Sequence, residues 1–118
     1  MNPLESETRP WGTFHVLVND ETHKVKKLIV NPKQRLSLQY HKHRVEVWVV
    51  VKGQVRVTCD EESAVLSYGE SIRIPLGSLH RIENITDSPA ELIEVQTGTY
   101  FGEDDIIRVA DDFNRENR

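Results

Sequence analysis

Apolar and polar residues alternate along most of this chain in short runs, and turn residues separate the runs. Thr13 to Val18 is β-prone and stops at Asn19-Asp20, a turn pair. Val25 to Val30 alternates in part and ends at Asn31-Pro32. Arg35 to His41 alternates cleanly, so Leu36, Leu38 and Tyr40 face one way and Ser37, Gln39 and His41 the other. Val45 to Val51 is apolar on both faces apart from Glu46. Lys52-Gly53-Gln54 is a hairpin turn, and Val55 to Cys59 returns from it. Ala64 to Leu66, Ser71 to Pro75, Leu79 to Ile85 and Glu91 to Val95 follow. Many short strands at such spacing predict an all-β sandwich or barrel. Only the end departs from period two. There Ile106, Val109, Ala110 and Phe113 sit at helical spacing behind Glu103, Asp104 and Asp105, which predicts one short helix packed outside the barrel.

Size and charge narrow the picture. A chain of 118 residues predicts a single domain over residues 1–118, large enough to hold a core without staples. It has one cysteine, Cys59, so no internal disulfide can form. The net charge is −4 and there is no basic patch, which argues against a nucleic-acid partner. No apolar run approaches the roughly 20 residues of a membrane span. The first residues lack the basic and apolar regions of a secretion signal, so a soluble cytoplasmic protein is expected. A strand apolar on both faces, such as Val45 to Val51, is usually covered on both. So short a chain has few elements to spare for that, so a second copy is expected there, making a homodimer.

The candidate chemistry lies in the polar positions of Gln39 to Glu46. Gln39, His41 and His43 occupy alternate positions, and each can offer a lone pair to a metal. Glu46 adds a hard oxygen, and a later segment supplies His80. From Gly69 the chain runs five residues to Pro75, then Leu76-Gly77, two residues to His80 and three to Asn84. This resembles, position for position, the second motif of the cupin family. The first cupin motif fits when Gln39 and His41 take its two histidine slots. Four residues then lead to Glu46 and six more to Gly53. The motif's opening glycine falls at Lys33. The resemblance implies a jelly-roll barrel holding one divalent metal on Gln39, His41, Glu46 and His80. Such a mixed nitrogen and oxygen set suits Zn²⁺ first, with Co²⁺, Mn²⁺, Fe²⁺ or Ni²⁺ tolerable.

Longer strings narrow the resemblance. Arg9-Pro10-Trp11-Gly12, Ser37 to Arg44, Glu46 to Gly53, Ile74-Pro75 with His80-Arg81, and Glu94 to Ile106 resemble the type II phosphomannose isomerases, over roughly residues 9 to 115. Val47 departs from that pattern, which usually has a histidine there. In that family the cupin is often fused behind a guanylyltransferase domain. The resemblance therefore implies a free-standing isomerase, interconverting mannose 6-phosphate and fructose 6-phosphate through an enediol(ate). The metal would act as a Lewis acid, and a base would carry the proton between carbons. Two residues are candidates for the base. His43 shares the alternation of Gln39 and His41, and Glu94 lies on a late strand. Arg44, Arg81 and Arg108 are the candidate phosphate ligands. A non-catalytic cupin that binds a sugar phosphate and an Fe²⁺-dependent oxidative cupin are the competing readings. The amide at position 39 argues against the latter.

Overall fold

A computed structural model describes residues 3–112. The chain forms two antiparallel sheets that share one core. The larger sheet holds β1 (Glu5–Arg9), β2 (Gly12–Asn19), β3 (His23–Val30), β5 (Arg44–Lys52), β8 (Ser71–Ile74) and β10 (Ala90–Gly98). Its order is β1-β2-β3-β10-β5-β8. The smaller holds β4 (Leu38–Tyr40), β6 (Gln54–Cys59), β7 (Glu62–Ser67), β9 (His80–Glu83) and β11 (Ile107–Ala110), in the order β11-β4-β9-β6-β7. The all-β jelly-roll expectation holds.

The interior is divided lengthwise, and the division can be followed along single strands. On β10, Ala90 and Leu92 face inward, and then so do Glu94 and Gln96. On β5 the order is reversed, with Arg44 and Glu46 before Trp48 and Val50. Antiparallel pairing sets Leu92 opposite Val50 and Gln96 opposite Glu46. Like therefore lies beside like: one end of the barrel is filled by Val30, Val50, Val55, Val57, Ala90 and Leu92, and the other by polar side chains. The apolar end supplies the hydrophobic stabilisation, at about 25 cal/mol per Å² removed from water. The polar end is where a ligand can enter.

The predicted C-terminal helix is not formed. Glu103–Asp105 makes a single 3-10 turn, and Ile107–Ala110 is a strand. β11 pairs with β4, setting Ile107 opposite Tyr40 and Arg108 opposite Gln39. The free edge of the smaller sheet thus outweighs helical spacing, which has no face of its own to bury. Phe113, which completed the helical pattern, lies outside the described residues.

Lys33 stands where the first motif has glycine, and it adopts φ 62°, the left-handed region that glycine serves. The turn conformation is kept although the residue is changed. Gly98 answers a close approach instead, since a Cβ there would lie 2.2 Å from the His43 carbonyl oxygen.

Candidate metal centre

Three strands place the centre. Gln39 comes from β4, Glu46 from β5 and His80 from β9, while His41 follows just after β4. Gln39 and His80 are direct partners across the ladder. All four are buried, at 2 to 8 % exposure. His41, Glu46 and His80 bring their donor atoms within 4.8 Å of one another, a group that could hold a metal ion. His41 Nε2 lies 3.1 Å from Glu46 Oε2 and 3.1 Å from His80 Nε2. His80 Nε2 lies 3.9 Å from Glu46 Oε1.

The far side of each imidazole faces a carbonyl. His41 Nδ1 meets the Asp105 carbonyl oxygen at 3.2 Å, and His80 Nδ1 meets that of Ser78 at 2.9 Å. A carbonyl only accepts, so each Nδ1 carries the proton, and both Nε2 lone pairs turn toward Glu46. Burial, together with His41, lowers the His80 pKa against the opposing pull of Glu46. Two imidazole nitrogens and a carboxylate thus converge with their lone pairs inward. One metal cation at that point would satisfy all three. The donor set therefore fits a metal, and the two carbonyls fix the rings as metal-bound histidines require.

The Glu46 carboxylate is held from several sides. Arg44 Nε donates to Oε2 at 2.9 Å, and Trp48 Nε1 donates to Oε1 at 3.1 Å. Trp48 Nε1 is also 3.1 Å from Glu94 Oε1. Gln96 Nε2 donates to Glu94 Oε2 at 2.9 Å. Burial raises the Glu46 pKa, but its contacts with His41 and Glu94 more than offset it and hold this carboxyl well below the usual range. Burial and the Glu46 charge push Glu94 up to about 8, so Glu94 holds a proton at neutral pH. One ionised and one protonated carboxyl therefore sit side by side at the base of the site.

The other predicted residues fare differently. His43 is exposed and does not face the centre. β4 stops at Tyr40, and the Asp105 carboxylate accepts the amides of Lys42 and His43 at 3.0 and 3.1 Å, turning the chain outward. The alternation that carried His43 inward ends one residue before His41. Arg44 is buried rather than set at the mouth, and its donors go to Glu46 and, at 3.4 Å, to the Phe101 carbonyl. Arg81 lines the cavity, but its donors serve the Leu36 and Ala110 carbonyls at 2.9 and 3.1 Å. Arg108 lines the same cavity from β11. Sequence reasoning missed Lys26, which is 4 % exposed and lines the cavity from β3. Its signal was present, since Lys26 shares the inward register of Leu28 and Val30. Asp105, which orients His41 and the loop after it, gave no local signal.

Residues 4–111 match the family described as mannose-6-phosphate isomerase C-terminal. The chain belongs to that family. Curated relatives include the alginate biosynthesis protein AlgA of Pseudomonas aeruginosa, 46% identical over 91% of this chain but only 22% of its own length. A mannose-1-phosphate guanylyltransferase of Sinorhizobium fredii is 45% identical, over 92% of this chain and 21% of the relative. The xanthan biosynthesis protein XanB of Xanthomonas campestris is 47% identical, over 91% and 23%. The chain thus spans about a fifth of the length of these relatives. Among solved structures, the capsular polysaccharide assembling protein CapF of Staphylococcus aureus matches with TM-score 0.78 and 22% identity, over 93% of this chain and 32% of that one. The Cnp3 cupin domain of Schizosaccharomyces pombe matches with TM-score 0.70 and 16% identity, over 73% and 64%. At such identities these two support the cupin fold alone.

These relatives correct one expectation. The free-standing mannose-6-phosphate isomerase implied by the sequence strings is not what they are named for. Their names are those of guanylyltransferases and polysaccharide biosynthesis proteins, in which a family domain like this one is a minor part. Among the described residues no helix is long and apolar enough to cross a membrane.

Proposed function

We propose that this family domain is a metal-dependent site for a small sugar phosphate, equipped to hold and exchange one proton beside the bound ligand. The observation that carries the reading is the convergence of His41, Glu46 and His80 at the base of an open cavity, with the protonated Glu94 beside them. In this reading Gln39 completes the ligand set as a neutral oxygen donor. Two imidazoles, one carboxylate and one amide favour Zn²⁺, with Co²⁺ as a spectroscopic substitute. When bound, the cation supplies Lewis acidity toward a ligand oxygen.

The chain's own residues do the remainder. Arg44 and Trp48 hold Glu46 in place through both its oxygens. The Asp105 and Ser78 carbonyls fix the two imidazoles. Glu94, about 8, is poised to give or take a proton near neutral pH. The cavity walls add Arg108 and Lys26, cations suited to a phosphate.

A second copy of the chain belongs to the same proposal. On the outer face of the larger sheet Val47 lies opposite Val95, and Val49 opposite Ile93, all only partly covered. Sedimentation of the wild type as a dimer, and of Val47→Lys as a monomer, is expected, and a monomeric wild type would remove this part.

The central test is calorimetric titration of a hexose 6-phosphate into the metal-stripped chain and into the Zn²⁺-loaded chain. Binding should require the metal. Equal affinity with and without it, or no binding in either form, would overturn the reading.

A further inference from the structure

Lys26 is a buried cation that the metal centre does not use. Its side chain is 5 % exposed, and its one hydrogen-bond partner among the described residues is Glu103 Oε2, at 3.4 Å. The rest of the ammonium faces the Phe14 ring, 4.3 Å from the centroid. Arg9 Nη2 is paired with the Glu7 carboxylate and also reaches the Glu103 carboxylate, 3.6 Å from its Oε1, with the guanidinium 5.0 Å over the same ring. Both contacts to Glu103 are longer than the roughly 2.7–2.9 Å of a well-made charge-assisted hydrogen bond. All three residues line the cavity that holds the metal ligands.

The partners differ in their freedom to move. The Glu103 side chain is 39 % exposed, so it can turn into water at little cost. Lys26 is enclosed, and a buried ammonium without a counter-ion is unfavourable. The turn that bears Glu103 is anchored separately, through the buried Asp105 and its bonds to Lys42 and His43. Glu103 can therefore leave by side-chain rotation alone. Burial raises the Glu103 carboxyl, yet Lys26 and Arg44 hold it below the usual range, so it is ionised whenever it sits there.

We propose that Lys26 and Arg9 form the anion subsite of this cavity, and that Glu103 occupies it as a tethered carboxylate until a ligand phosphate takes its place. The inference rests on the reading that a small phosphorylated ligand enters the cavity. A phosphate carries close to two charges and three acceptor oxygens, against one charge on Glu103, so it suits two converging cations better. Glu103 then sets a threshold that weakly charged compounds do not cross.

The test uses inorganic phosphate as the probe, titrated into the full chain by calorimetry with and without Co²⁺. Glu103→Gln keeps the shape and removes the competing charge, and should bind phosphate about threefold to fivefold more tightly. Lys26→Gln should bind about tenfold more weakly or worse, and Lys26→Arg should recover most of the loss. A merely structural role for Glu103 predicts a lower melting temperature and no gain in affinity, which overturns the proposal. So does phosphate binding by Lys26→Gln equal to wild type. If Lys26→Gln does not fold, Arg9→Gln takes its place with the same expected loss. Normal Co²⁺ absorption with phosphate affinities that ignore these substitutions would overturn the subsite alone. Failure of wild type to bind Co²⁺, with phosphate affinities that follow them, would overturn the metal reading alone.

Discussion

His41 and His80 point their Nε2 atoms at each other across 3.1 Å, while each Nδ1 faces a main-chain carbonyl. The two rings are therefore oriented from behind and left with facing lone pairs. Together with Glu46 they form a nest of acceptors that one cation completes. His80→Ala removes a third of that nest and should lower Zn²⁺ or Co²⁺ affinity by well over the roughly 10–100-fold lost when only a supporting residue is changed. Trp48 gives a second readout. Its ring lies 5.3 Å from that of His80, so metal binding should alter Trp fluorescence in wild type and not in the variant. Full metal occupancy in His80→Ala would refute the ligand set.

His43→Ala separates this centre from a His-any-His alternative. The structure sets His43 outside, its ring edge-on to Tyr100 at 6.3 Å. Its removal should change metal affinity by no more than about twofold, the scale of an exposed substitution. Loss of metal in this variant would mean that the chain around 41–43 turns inward when loaded.

The same pair of histidines shows how far sequence could go. Period two placed Gln39 and His41 on the inner face, because that stretch is governed by its own alternation. It failed at His43 because the decisive contact, the Asp105 carboxylate, is 62 residues away. The C-terminal strand was hidden for the same reason. Ile106, Val109 and Ala110 satisfy a helical pattern, and only the open edge of β4 makes the extended form better. Lys26 is legible in the sequence, since a lysine in register with Leu28 and Val30 must either be buried or break the strand. The arginines stand out in the sequence only by their position in the motifs. Their partners, main-chain carbonyls for Arg81 and Glu46 for Arg44, depend on packing that no local pattern carries.

Lys33 offers a stability test independent of the site. It holds φ 62°, which costs a residue bearing a Cβ about 1–2 kcal/mol. Glycine relieves this but brings about 0.5–1 kcal/mol of added chain entropy. The Lys33 side chain is 61% exposed, and its contacts with the Ile85 carbonyl and Asp87 contribute little. Lys33→Gly should therefore stabilise the chain by about 0.5–1 kcal/mol, a rise of roughly 3 °C in Tm. Lys33→Val, which cannot adopt this φ easily, should lower Tm. A drop in Tm for the glycine variant would show that the side-chain contacts outweigh the backbone strain.

Glu94 links the site to pH. Burial and the neighbouring Glu46 charge raise its carboxyl from 4.5 to about 8 in the folded chain. Between those values the folded state binds a proton that the unfolded state has lost. Stability from this group is thus fully present below about 4.5 and falls as pH rises, by at most about 1.4 kcal/mol per pH unit. Above about 8 both states are ionised and the loss is complete. Glu94→Gln has no proton to lose but keeps a donor toward Glu46. The stability of this variant relative to wild type should therefore increase with pH across the window and then level off. Urea denaturation of the metal-free chains at successive pH values measures the difference directly. Parallel curves for the two proteins would show that Glu94 is already ionised in the folded chain, and that the proton beside the metal centre is not there to be exchanged.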